Sequence, residues 1–138
     1  DLSHISEYTR PFGTQAYKLM RKCLPGAFTF ILEASNKVPK LLNANRKTVG
    51  IRVPDNEIAL SIVRLLGNPL ITTSLKIDDE INEYPTDPEE IYDLYGNQVD
   101  IVIAGDVGGI EPSTVVDCTG DAPSLVRQGA GELPYDLD

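Results

Sequence analysis

The chain has little of the equipment that covalent and metal chemistry most often use. Its 138 residues include one histidine, His4, and two cysteines, Cys23 and Cys118. A His-based catalytic triad would have to draw on His4, which sits in a polar leading segment, and no nucleophile–base pair is evident elsewhere. The cysteines form no CxxC and have no histidine cluster near them, so a Cys/His zinc site is disfavoured and no metal ligand is nominated. Two lone cysteines read as small core or surface residues, which favours a reducing compartment, cytoplasmic or organellar. No apolar run approaches the roughly 18 residues of a membrane span, and no signal peptide is legible at the start. Gly105-Asp106-Val107-Gly108-Gly109 lacks the Gly-Lys-Ser/Thr ending of a P-loop, so a phosphate site would be built from side chains. No internal repeat is visible.

Positive charge is nearly absent from the second half. Residues 1–76 hold 11 Lys+Arg against 5 Asp+Glu, whereas residues 77–138 hold 1 against 16. The net charge of −9 therefore hides a first half at +6 and a second at −15. A surface able to meet phosphate belongs to the first half; the later carboxylates read as a solvated acidic face.

Length and composition are those of one globular domain with a sizeable core. The segment 1–10 reads as a short helix or lead-in, stopped by Pro11 and Gly13. Ala16, Leu19, Met20 and Cys23 recur at helical spacing from Thr14, and Pro25-Gly26 ends that helix. Phe28 to Leu32 reads as a strand, Val38 to Leu42 as a helical turn, and 43–47 as a loop with two basic residues at its end. After the strand 47–54, Asp55 is a candidate N-cap. Ile58, Ala59, Ile62, Val63, Leu65 and Leu66 trace a helical stripe closed by Gly67. Leu70 to Leu75 reads as a strand ending in hydroxyls, and 76–85 as a charged loop. Thr86-x-x-Glu89 predicts a capping box for a helix to Gly96, with Pro88 in its first turn. Val99 to Ala104 reads as a buried strand, Ser113 to Cys118 and Leu125 to Arg127 as further strands, and the tail from Leu133 as mobile. Helices alternate with strands early and strands cluster late. This order predicts an α/β fold with a twisted, open, mixed sheet and helices on its faces.

Lys47-Thr48-Val49-Gly50-Ile51-Arg52-Val53-Pro54 is the most informative stretch. At period two, Val49, Ile51 and Val53 share the core face, and Thr48, Gly50 and Arg52 share the other. An arginine in a core strand needs an anionic partner, because an unpaired buried charge is very costly. That partner is either a structural carboxylate or a ligand, and Gly50 would let a ligand approach the backbone closely. Thr29, Thr73, Ser74, Ser113, Thr114 and Arg127 also fall at strand or loop boundaries, where ligands of open α/β sheets collect. Two arginine forks and a set of hydroxyls suit phosphate or carboxylate oxygens. Each hydroxyl taken singly is ordinary strand or loop composition.

Four motifs in order resemble the YrdC-type domains. Leu24-Pro25-Gly26-Ala27-Phe28-Thr29 is similar to their "PGP-x-T" segment, and Thr48-Val49-Gly50-Ile51-Arg52-Val53-Pro54 to their "VGIRxP". Ser113-Thr114-Val115-Val116-Asp117 resembles "STVVD", and Arg127-Gln128-Gly129-Ala130 the closing "R-x-G-A". The resemblance covers nearly all of 1–138, as roughly the C-terminal two thirds of the family domain, and is nearest to the YciO-like branch. It implies a twisted open sheet with a concave, positively charged cavity. It implies an activity like that of threonylcarbamoyl-AMP synthases, which join threonine, bicarbonate and ATP, with Mg²⁺, into threonylcarbamoyl-AMP and pyrophosphate for tRNA modification. The alternative is a non-catalytic module of YciO type that binds double-stranded RNA or a nucleotide. By motif match, Thr29 and Arg52 would line the threonine and phosphate side, and Ser74, Ser113, Thr114 and Arg127 would hold nucleotide or carboxylate. No catalytic nucleophile is nominated, since positioning and charge neutralisation would carry such chemistry.

The chain departs from the family pattern twice. The usual "S-x-N" reads Ser74-Leu75-Lys76, which replaces a small residue and an amide with bulk and charge. The family's "K-x-R" loop, which grips ATP phosphates, has no counterpart here. With Asp1 in first place, the chain is expected to be a fragment or processed product, incomplete at the N-terminus and catalytically incompetent by itself.

Overall fold

The amphipathic segment Thr14–Cys23 forms a ten-residue helix, α2, in the computed structural model, which describes residues 2–38, 47–75 and 85–137. Ala16, Leu19, Met20 and Cys23 are its buried positions, at the spacing of one helical face. A 3₁₀ turn over Leu2–His4 and the short helix α1, Ile5–Tyr8, precede it. The buried face of α2 covers a four-stranded sheet built from β1 (Phe28–Glu33), β2 (Thr48–Ile51), β3 (Thr114–Asp117) and β4 (Ser124–Arg127). Strand order is β2-β1-β3-β4, with β1 and β3 parallel and both outer pairs antiparallel. The mixed sheet expected from the order of elements is therefore present.

Registry follows the pleat. Phe28, Phe30 and Leu32 of β1 are buried, and Thr29, Ile31 and Glu33 stand on the opposite face. Phe30 sits between Ile51 of β2 and Val116 of β3. Phe30, Leu19, Met20, Leu32 and Val116 are fully buried, and the Phe28 and Phe30 rings stack at 5.9 Å. Leu133 and Leu137 pack against this core, so the tail expected to be mobile is docked: its leucines offer apolar area that the core accepts.

Cys23 and Cys118 are buried free thiols within the core. Burial pushes the Cys118 thiol up to about 11, and the adjacent Asp117 carboxylate adds to the rise. An unfolded thiol titrates near 8.5, so the folded state holds its proton more tightly. The stabilisation is complete below about pH 8.5 and is lost as pH climbs through the folded value. Unfolding free energy should fall between about pH 8.5 and 11, and Cys118→Ala should flatten that fall. Equal slopes for the two proteins in urea titrations would contradict the assignment.

Residues 1–68 and 112–138 form one compact unit and residues 69–111 a second. Helix α3, Glu57–Leu66, belongs to the first. Its N-cap is Asn56, whose Oδ1 accepts the Ala59 N–H at 3.0 Å, rather than Asp55. Two adjacent residues were competent to cap, and the one nearer the first turn holds the position. Gly67 closes α3 at φ 77°, as its left-handed geometry requires.

Helix α4, Pro88–Tyr95, is the regular element among the described residues of the second unit. Asp87, not Thr86, caps it, with Oδ1 accepting the Glu89 N–H at 2.9 Å. The strands expected over 70–75 and 99–104 are absent from the described ladders. Ile101 and Ile103 are 76% and 54% exposed. Branched residues favour extended backbone in both runs, but a strand exists only where a second chain segment offers a ladder. The helical turn expected at 38–42 and the charged loop at 76–85 fall mostly outside the described residues. Among the described residues no helix is long and apolar enough to cross a membrane.

Candidate functional site

The sheet face opposite α2 carries polar residues from all four strands, with Thr114 of β3 the exception. Thr29 lies half-buried there on β1, and its Oγ1 shares a 2.8 Å hydrogen bond with Ser113 Oγ, just before β3. This joins two residues 84 positions apart. The parallel register makes the meeting possible, since it pairs Thr29 with Val115 and brings the start of β3 alongside.

Arg127 reaches the same place from β4, where it pairs with Val115. Its Nη2 and Nε donate to the Ser113 carbonyl at 2.8 and 3.2 Å. Part of its fork is thus held by the backbone, while the side chain remains exposed. Arg52 enters from the other edge. It follows Ile51, the partner of Phe30, and so leaves β2 at the level of Thr29. It is exposed and makes no hydrogen bond or ion pair among the described residues. Gly50 stands beside this point on β2, and a Cβ there would come within 3.3 Å of Thr29 Cγ2. Its missing side chain keeps the backbone open next to the hydroxyl pair.

A guanidinium, two hydroxyls and a second guanidinium therefore follow one another across β2, β1, β3 and β4. The structural carboxylate that the sequence offered as one partner for Arg52 is not found among the described ion pairs. Five charge-assisted donors in a planar fork are left for an oxyanion. Further along the same face Asp117 Oδ1 is occupied, accepting the Thr119 N–H at 2.8 Å and the Thr119 hydroxyl at 2.7 Å.

Thr114 is placed differently from its neighbours. It is fully buried on the core face, paired with Phe28. Its hydroxyl donates to the Gly131 carbonyl at 2.6 Å and accepts the Gly129 N–H at 3.0 Å. Gln128 Nε2 donates to the same Gly131 carbonyl at 2.8 Å. Thr114 thus fastens the segment after Arg127 beneath the sheet. Gly131 is required by this packing, because a Cβ would stand 2.6 Å from the Ala27 carbonyl. Reading Ser113 and Thr114 as a ligand-facing pair overlooks strand parity, which the apolar Val116 and Cys118 already mark in the sequence. Ser74 belongs to the second unit, exposed and outside any helix or strand, and Lys76 lies outside the described residues.

The donor set is of the kind that phosphate or carboxylate oxygens accept from. Among the described residues no three His, Cys, Asp or Glu side chains converge as a metal cage. Magnesium bound with a nucleotide is commonly held by phosphates and water with one or two carboxylates.

The family model for Sua5/YciO/YrdC, described as "Telomere recombination", matches residues 1–129. The chain is 44% identical over 135 residues to the YciO protein of Escherichia coli, described as uncharacterized. It superposes on the crystal structure of that protein with a TM-score of 0.86. It is 36% identical over 132 residues to the threonylcarbamoyl-AMP synthase of Bacillus subtilis, covering 94% of this chain and 37% of the synthase. The structure of Pyrococcus abyssi Sua5 complexed with L-threonine matches with a TM-score of 0.83 at 27% identity, over 94% of this chain and 38% of that one. The chain spans 64% of the length of YciO, and 96% of its own residues take part in that match.

Proposed function

Because the chain belongs to the Sua5/YciO/YrdC family, we propose that the open sheet face binds a nucleotide phosphate and the carboxylate of threonine, as in threonylcarbamoyl-AMP synthesis. The observation that carries this reading is Arg52. Its guanidinium has no partner among the described residues and leaves β2 at the level of Thr29 of the Thr29–Ser113 hydroxyl pair, with Arg127 on the far side. The reading also draws support from the synthase of Bacillus subtilis and from the threonine complex of Pyrococcus Sua5.

In this reading threonine and bicarbonate supply the carbamate, and ATP supplies the adenylyl group with release of pyrophosphate. The work required of the protein is orientation of anions and neutralisation of their charge, which needs no protein nucleophile. Arg52 supplies a fixed cation, Thr29 and Ser113 bind oxygens without adding charge, and Gly50 admits the ligand to the backbone. A second reading, a nucleotide- or double-stranded-RNA-binding module without turnover, is favoured by Leu75-Lys76 in place of the family's small residue and asparagine. Pyrophosphate release that requires both threonine and bicarbonate separates the two readings.

Calorimetric titration of ATP and of L-threonine tests the site. Arg52→Ala should weaken at least one of them by about 10–100-fold, the loss of a charge-assisted hydrogen bond in the range of roughly 1.5–3 kcal/mol. Arg52→Lys should recover only part, since an ammonium keeps the charge without the fork. Thermal stability should be unchanged, because the Arg52 side chain has no described partner to lose. Undiminished binding of both ligands by Arg52→Ala would overturn the proposal.

A further inference from the structure

The first unit has a second concave surface, on the side of α2 away from the sheet. It is a half-open groove of about 1000 Å³ between the outer face of α2, the turn before β4 and the docked tail. Lys18, Arg21 and Lys22 line it from α2, with Tyr17 beside them, and Tyr135 faces them from the tail. Lys22 Nζ lies over the Tyr135 ring, 5.4 Å from its centroid. Lys18 and Arg21 are exposed and make no hydrogen bond or ion pair among the described residues. Among the described residues Asp136 is the one carboxylate of the lining, so the groove is cationic with an aromatic rim.

The second unit carries the opposite charge in the matching order. Helix α4 presents Glu89, Glu90 and Asp93, all exposed, and their carboxylates enter no ion pair among the described residues. The cations take positions i, i+3 and i+4 of α2, and the carboxylates take j, j+1 and j+4 of α4. One pattern is the other read backwards. Laid antiparallel, the two helices set Lys18 opposite Asp93, Arg21 opposite Glu90 and Lys22 opposite Glu89 in a single register. That register also sets Tyr17, 43% exposed, opposite Leu94, 44% exposed. Each set shares one helical face, because residues three and four apart are neighbours on a helix. The acidic first turn of α4 then meets the basic last turn of α2, and each charge suits the dipole of its own helix.

We propose that two copies of this chain associate by laying α4 of one copy antiparallel in the α2 groove of the other, with Lys18, Arg21 and Lys22 paired to Asp93, Glu90 and Glu89. An apolar partner would leave the cations unpaired, and a small anion would leave Tyr17 uncovered; an acidic helix with a leucine at the matching position uses both. Made in both directions, the contact closes as a dimer. Exposed ion pairs contribute little singly, so the association is weak and salt-sensitive, and matched charges in register give it specificity. It uses neither Arg52, the hydroxyl pair nor Arg127, and is independent of the ligand assigned to the sheet face.

Sedimentation velocity of the full chain tests this. The weight-average sedimentation coefficient should rise with protein concentration at low ionic strength and fall back as salt screens the exposed pairs. Lys18→Glu with Arg21→Glu, and separately Glu90→Lys with Asp93→Lys, should each weaken association by about tenfold or more, because like charges then face each other. An equimolar mixture of the two variants places opposite charges at both contacts again and should recover most of the wild-type association. Each variant should keep the wild-type dichroism spectrum and the wild-type titration of threonine and ATP, so that a loss of association is read at the two helices. A coefficient independent of concentration, or a mixture that associates as weakly as either variant alone, would overturn the proposal. So would a chain that stays monomeric while its groove binds polyglutamate.

Discussion

Truncating Phe30 to alanine is expected to lower the unfolding free energy by about 3–5 kcal/mol, the range for deleting a buried aromatic side chain from a packed core. Phe30 is fully buried at the middle of β1, bounded by Ile51 and Val116 across the sheet and stacked on Phe28. The hole would open between the sheet and α2, whose Leu19 and Met20 are also fully buried. Neither strand nor helix can close onto it without breaking ladder bonds, so little of the cavity should collapse. Urea unfolding followed by far-ultraviolet dichroism measures the change. A loss below about 1 kcal/mol would contradict a core centred on this residue. The effect extends to the site, because Thr29 precedes Phe30 and is held in register by the same ladder.

Thr114→Val is expected to cost about 2–3 kcal/mol, although it conserves shape. The hydroxyl is wholly buried and is engaged with the Gly131 carbonyl and the Gly129 N–H. Valine leaves the half-buried Gly129 N–H without its partner, and an unsatisfied donor shielded from water costs up to about 1–3 kcal/mol. The Gly131 carbonyl keeps a donor in Gln128 Nε2, which limits the total. Thr114→Ser should retain most of the stability, since it keeps the hydroxyl. The segment released by valine follows β4 directly, so Arg127 should lose order and ligand affinity should fall with stability. A Thr114→Val protein of wild-type stability that nonetheless fails to bind ATP would make Thr114 a ligand contact, as the motif resemblance implies. It would also contradict the fastening role.

The legible parts of the fold were those in which one segment carries its own signal. The α2 stripe, the aromatic and branched run of β1 and the Thr-Val-Val heart of β3 each combine periodicity with a neighbour that buries them. Val99 to Ala104 carries an equally strong signal, but its composition reports a preference for apolar surroundings without naming what supplies them. Caps fall between these cases: Asp55 and Asn56, or Thr86 and Asp87, are chemically equivalent candidates, and one residue of helix phase decides. The tail differs from its expectation because two leucines among glycine, proline and acid residues look solvated until the core shows room for them.

Of the site, Arg52 and Gly50 were legible from parity alone, as the non-core face of one strand. The meeting of Thr29 with Ser113 was not, because it depends on the parallel pairing of strands separated by most of the chain. Thr114 shows the converse limit: its neighbours in sequence place it in a motif, while its parity places it in the core.

The central claim is that anions bind on the open sheet face between Arg52 and Arg127. Amide chemical-shift mapping during titration of the isotopically labelled chain with ATP and L-threonine tests it most directly. The account predicts saturable shifts at Thr29, Gly50, Arg52, Ser113 and Arg127, with Lys18, Arg21 and Lys22 unmoved by threonine. Shifts confined to α2 and the tail, or the same shifts persisting in Arg52→Ala, would contradict it.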